Sequence, residues 1–113
     1  MVDPIDQRPA TGRVGERVAW VFLVRHGVDI LARNVRVPAG EIDLIGETGD
    51  LVVFVEVKTR SGPRYGHPAE AVTAVKRRRM ARAALAFLKG RGWLERTCRF
   101  DVVEVTARGG RVD

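Results

Sequence analysis

The chain is poor in the residues that mark several functional classes. It has one cysteine, Cys98, in 113 residues, and its two histidines are His26 and His67. A lone cysteine excludes an internal disulfide, and without a Cys/His cluster the sequence offers no zinc site. Both point to a reducing compartment, and the expected location is the cytoplasm. No apolar run approaches the ~18–20 residues of a membrane span. The first twelve residues are polar and carry Asp3, Asp6, Pro4 and Pro9, which is not the pattern of a signal peptide. No internal repeat and no low-complexity tract is present. Acidic residues are outnumbered by basic ones, 14 to 20, and the pI is near 10.7. A surplus of that sign suits a polyanionic partner, above all nucleic acid.

What is present fits one domain with a modest core, since apolar residues make up 45% of the chain. Residues 1–12 are expected to form a mobile arm, 13–106 the folded domain and 107–113 a frayed tail. Helical spacing of Val14, Val18, Val21, Phe22 and Arg25 predicts a helix from Arg13 to about His26, stopped by Gly27, with Trp20 and Phe22 in the core. Gly15 weakens its first turn. Three strands follow: Asp29–Val37, ended by Pro38-Ala39-Gly40; Glu41–Gly46; and Leu51–Lys58, after the turn residues Glu47 to Asp50. Thr59 to His67, with Gly62, Pro63 and Gly66, reads as a mobile loop and a flap that closes over substrate. Helical periodicity returns from Pro68 to about Lys89, and Cys98–Thr106 alternates as a fourth strand. The order α-β-β-β-α-β implies a mixed sheet flanked by helices.

The third strand carries the clearest chemical signal. In Val55-Glu56-Val57-Lys58-Thr59, Glu56 and Lys58 are two apart and share a face. Charges at the end of so apolar a segment are costly unless paired. If Glu47 to Asp50 form a four-residue turn, Gly46 faces Leu51 and Asp43 faces Phe54. Asp43 then lies on the Glu56 face, diagonal to it, with Glu41 directly across from Glu56. A turn one residue longer or shorter would turn Asp43 away. Two carboxylates and a lysine are what a magnesium-dependent phosphoryl site needs, because magnesium takes one or two carboxylates plus waters and substrate phosphate. The competing reading is an ordinary ion pair at a strand end.

The segments Gly40-Glu41-Ile42-Asp43-Leu44-Ile45 and Val53-Phe54-Val55-Glu56-Val57-Lys58-Thr59-Arg60 resemble the YraN-type family, an uncharacterised bacterial family with a restriction-endonuclease-like core. The resemblance extends to Gly15-Glu16, to Ala71-Val72 with Lys76, and to Arg99-Phe100-Asp101-Val102-Val103, about Val14 to Val105 in all. The order Glu, Asp, Glu-x-Lys is also similar to that of archaeal Holliday-junction resolvases. That resemblance implies Asp43 and Glu56 as metal ligands, Lys58 as the catalytic lysine and Glu16 as an accessory acid from the helix. By itself Glu16 reads first as a first-turn glutamate favoured by the helix dipole.

Lys76, Arg77, Arg78, Arg79 and Arg82 place five cations in seven residues, and Arg78, Arg82 and Lys89 follow one helix face. With Arg60, they are candidates for phosphate contacts, the alternative being an ordinary solvated face. His67 reads as incidental, Trp93, Tyr65 and Arg64 as possible base-stacking residues, and Asp101 as an arginine partner. The expectation is a Mg2+- or Mn2+-dependent endonuclease acting on nucleic acid, DNA before RNA, with branched or damaged DNA as first candidates. The alternatives are a non-catalytic nucleic-acid-binding module that keeps the fold, and an adaptor whose acids are surface ion pairs. The oligomeric state, a homodimer included, is left open.

Overall fold

The computed structural model of the chain describes residues 10–61, 73–108 and 111–112. Helix α1 (Ala10–Arg25) leads into strands β1 (Asp29–Val37), β2 (Gly40–Thr48) and β3 (Leu51–Ser61). Helix α2 (Ala74–Arg91), β4 (Cys98–Arg108) and a short β5 (Arg111–Val112) complete the order. The sheet runs β1-β2-β3-β4-β5 and is mixed: only β3 and β4 are parallel, joined across α2. This is the α/β architecture expected of a restriction-endonuclease-like core. Among the described residues, no helix is long and apolar enough to cross a membrane.

Each helix covers one sheet face, because alternate residues of β3 point to opposite sides. Val53 and Val55 pack with Ala19, Leu23 and Val28 beneath α1. Val52 and Phe54 pack with Ala83, Ala84 and Leu88 beneath α2. Phe54 is fully buried, stacked on Phe100 and edge-on to Phe87. Helix α2 is capped by extended Thr73, its hydroxyl accepting from Lys76 N at 3.1 Å. It ends at Gly92, whose φ of +71° is the left-handed geometry that glycine tolerates.

The buried face of α1 is not the expected one. Val14, Val21 and Phe22 are 39–48% exposed and Trp20 is 37% exposed. The helix seats Gly15, Glu16, Ala19 and Leu23 on the sheet instead. Every position from Val18 to Val24 is apolar, so periodicity could not choose the side; small residues could, because they let the helix approach. A Cβ on Gly15 would run into the Thr59 hydroxyl and stand 3.1 Å from its Cβ. Gly15→Ala is therefore expected to lower stability by about 1–2 kcal/mol, overpacking outweighing the gain in helix propensity. Urea unfolding checks this, and an unchanged midpoint would mean that Thr59 yields freely.

Two other expectations change at the residues described. In the tail expected to fray, β4 runs on to Arg108 and β5 pairs back on it, Ala107 opposite Val112. The loop expected from Thr59 begins later, since β3 continues to Ser61. The rest of that loop, with Arg64, Tyr65 and His67, lies outside the described residues, as do the start expected for α2 at Pro68 and most of the N-terminal arm, although α1 already includes residues 10–12.

Candidate metal and phosphate site

The β2–β3 hairpin closes on two residues, Gly49 and Asp50, with Thr48 opposite Leu51. Gly46 therefore faces Val53, not Leu51, and every pair slides by two positions relative to the four-residue turn. An even slide preserves the side-chain face. Pairing runs as far as Leu44 opposite Val55. One step further, level with Glu56, Asp43 replaces the backbone as the acceptor: Val57 N donates to Asp43 Oδ2 at 2.7 Å.

The neighbouring strand shows why the ladder stops there. Asn34 of β1, between the pairs Arg33–Leu44 and Val35–Ile42, has a φ of +49°. Asn tolerates that left-handed geometry better than most residues. Alternation also breaks at this level, since Ile42 and Ile45, three apart, both pack beneath α2. Asp43 falls at the break and turns its carboxylate toward β3.

Glu56 lies on the α2 side with its side chain 7% exposed. Two ammonium groups reach the same oxygen, Glu56 Oε1: Lys58 Nζ at 3.2 Å and Lys76 Nζ at 2.5 Å. Burial pushes Asp43 up from 3.8 to about 6, helped by the charge of Glu56, by a proton it can share with Glu56 and by Glu41, and opposed by the Val57 N–H. Burial and the adjacent Lys76 pull Lys58 below its usual value, against the attraction of Glu56. Burial also pulls Lys76 down, but its bond to Glu56 and its contact with Lys58 outweigh this and raise it.

Beside Glu56 opens a cavity of about 920 Å³, whose lining includes Arg36, Gly40, Glu41, Thr73, Lys76 and Arg79. The β1–β2 turn touches α2 at Gly40, where a Cβ would lie 2.6 Å from the Arg79 carbonyl oxygen. Glu41, expected across from Glu56, is instead on the cavity rim, bonded to Arg36 Nε at 3.0 Å.

The structure thus brings Asp43, Glu56 and Lys58 together and adds Lys76. Glu16 is buried on the α1 side, where it lines a separate cavity of about 330 Å³ with Arg13, Arg17, Trp20, Val21, Arg33 and Leu44. The basic run divides three ways. Lys76 and Arg79 face the large cavity, Arg77 borders Phe100 and Val102, and Arg78, Arg82 and Lys89 point to solvent. The backbone of Arg60 lies on β3, and its side chain is outside the described residues. Trp93 is half-buried between Arg91 and Arg96, 5.3 and 4.3 Å from its ring, with Phe87 edge-on. Arg96 also bonds Glu47 at 2.9 Å and the carbonyls of Gly49 and Asp50, so Trp93 helps tie the end of α2 to the β2–β3 turn. Asp101 pairs with Arg99 at 2.9 Å.

Reading the sequence counted Lys76 only as a phosphate contact and missed its bond to Glu56. The one local signal was a lysine at the start of an otherwise all-arginine run, three residues after a capping threonine. Among the described residues no three His, Cys, Asp or Glu side chains cluster tightly enough to hold a metal ion. The site offers two carboxyl groups. Their crowding, which together with burial raises Asp43, and the open cavity beside them fit a hard divalent cation that takes the rest of its shell from water and phosphate.

The model of the Uncharacterised protein family UPF0102 matches residues 15–105. A UPF0102 protein of Symbiobacterium thermophilum is 57% identical over 94 residues, covering 83% of this chain and 80% of the relative. One from Nitratidesulfovibrio vulgaris is 50% identical over 105 residues, 93% and 78% of the two chains. One from Syntrophotalea carbinolica is 44% identical over 107 residues, 95% and 87%. The matched span contains Asp43, Glu56, Lys58 and Lys76, and the chain belongs to the Uncharacterised protein family UPF0102, the YraN-type family.

Proposed function

We propose that the protein is a divalent-metal-dependent endonuclease acting on nucleic acid, with branched or damaged DNA as the substrates to try first. The observation that carries this is the meeting of Asp43 and Glu56 where β2 and β3 stop pairing, with Lys58 on Glu56 and a cation-lined cavity alongside. Asp43 and Glu56 would hold Mg2+ or Mn2+. Bound there, the ion supplies charge to a phosphoryl oxygen and acidity to a water. Lys58 keeps a proton at Nζ and offers its charge to the attacking water or to the oxyanion that develops. Arg36 and Arg79 would hold flanking phosphates on the cavity wall. Arg78 and Arg82 act at longer range, as steering charge.

Purified protein with Mg2+ or Mn2+, tested on single-stranded, flap, gapped and four-way DNA, is expected to release products from at least one substrate. No product from any of them would remove the catalytic reading. A non-catalytic binding module is the second reading, favoured by the two lysines on Glu56, which satisfy that carboxylate without a metal.

Binding separates the two basic surfaces. Arg36→Ala with Arg79→Ala is expected to weaken DNA affinity and to flatten its salt dependence by roughly one unit per lost phosphate contact. Arg78→Ala with Arg82→Ala should cost less. Fluorescence anisotropy at several salt concentrations ranks the pairs, and the opposite order would move the binding surface to the outer face of α2.

A further inference from the structure

We propose that Lys76 is an internal counterion occupying the metal site in the free protein, and that it must leave Glu56 before a divalent cation can bind. The inference rests on the metal reading above and extends it to how the site is controlled. Glu56 Oε1 already holds Lys76 Nζ at 2.5 Å and Lys58 Nζ at 3.2 Å, on a side chain only 7% exposed. A magnesium ion needs such an oxygen at about 2.0–2.1 Å. It would enter the space of the nearer ammonium, and three positive centres on one oxygen repel one another strongly in a half-buried site.

One lysine has to yield, and their anchoring decides which. Lys58 is two residues from Glu56 on the same strand, inside the β3–β4 ladder where it faces Glu104, so its origin is fixed. Its bond to Glu56 is also the longer one. Lys76 sits in the first turn of α2 on a flexible four-carbon stem, its side chain 35% exposed at the wall of the large cavity. It can swing into that cavity without disturbing the helix, because the cap bond to Thr73 Oγ1 uses only the backbone N–H of Lys76 and not its side chain. In the cavity Lys76 joins Arg36 and Arg79, where a phosphate would lie. Metal and phosphate therefore assist each other. The metal releases Lys76 to the phosphate, the phosphate draws Lys76 off Glu56, and linkage requires the two effects to be equal.

Calorimetric titration of the nucleic-acid-free protein with MgCl2 provides the test. Lys76→Met is expected to bind Mg2+ about ten- to a hundredfold more tightly than wild type, the factor set by one charged hydrogen bond of roughly 1.5–3 kcal/mol. Lys76→Arg, which keeps the charge, should stay near wild type. Should Lys76→Met fail to fold, the wild type carries the test through the side-chain ammonium signal of Lys76 in 15N NMR. That signal is expected to be protected from exchange without metal and to lose protection as Mg2+ is added. Equal affinity of wild type and Lys76→Met, or a Lys76 signal unmoved while Mg2+ binds, overturns the counterion role and leaves the metal site standing. If neither protein binds Mg2+ at millimolar concentration, the metal reading falls and this inference with it.

Discussion

Glu56→Gln is expected to lose metal-dependent cleavage by at least about a hundredfold, since weakening the metal site by about 3 kcal/mol in the transition state corresponds to that factor. Asp43→Asn should show a loss of similar order, with weaker Mg2+ binding in both. Lys58→Ala is expected to behave differently: metal affinity largely kept and the cleavage rate reduced, because its charge matters most as charge develops on the reacting phosphate. Combining Asp43→Asn with Lys58→Ala should be little worse than the poorer single change, since groups that act as one unit are not additive. Cleavage rates on the best DNA substrate, with calorimetry on the same preparations, check all four. Wild-type cleavage in Glu56→Gln or Asp43→Asn would place the chemistry elsewhere or expose a contaminating nuclease.

The metal-free protein should respond to Asp43→Asn in the opposite sense and become more stable at neutral pH. In the fold Asp43 titrates near 6, against 3.8 for the ordinary side chain, chiefly because of burial and then because of the Glu56 charge. A carboxyl whose folded value is raised stabilises the fold while protonated. That contribution is complete below about 3.8 and is lost as the pH rises through about 6. At pH 7.5 the wild type has lost it and keeps a crowded carboxylate. Asn removes the charge and retains an oxygen to accept from Val57 N, so the gain at pH 7.5 should be on the order of 2 kcal/mol. The gain should shrink steadily toward pH 4, where the wild type is itself protonated. Thermal melts in EDTA across this range measure it. Excess Mg2+ should raise the wild-type midpoint more than that of Asp43→Asn, because the stabilisation a ligand gives grows with its affinity for the folded form. A destabilised Asp43→Asn at pH 7.5 would mean that the carboxylate charge is already compensated.

Several features followed from sequence because their physics is local. β1 occupies Asp29–Val37 as its pattern and the Pro38-Ala39 turn require. Glu56 and Lys58 share a face because any strand alternates, whatever surrounds it. Asp43 reached the vicinity of Glu56 although the turn length was misread, because two residues instead of four is an even change and parity survives it. The family, too, was legible, in the two motifs of the β2–β3 hairpin.

Other features were decided only by elements far apart in the chain. Trp20 and Phe22 are exposed because α1 docks by the clearance that Gly15 and Ala19 allow over Thr59 and the sheet, and the unbroken apolar run Val18 to Val24 carries no local record of its docking side. Asp43 bonds Val57 because β2 loses its alternation at the level of the left-handed Asn34 of β1, a disturbance seen only when the strands lie side by side. The cations of α2 part company by a rotation and distance relative to β3 that only the packing of Met80, Ala83, Ala84 and Leu88 sets. That packing turns Lys76 onto Glu56 and sends Arg78 and Arg82 to solvent, so alternation along one strand determined the acid and its lysine, and the seating of a helix some twenty residues later decided what else would touch them.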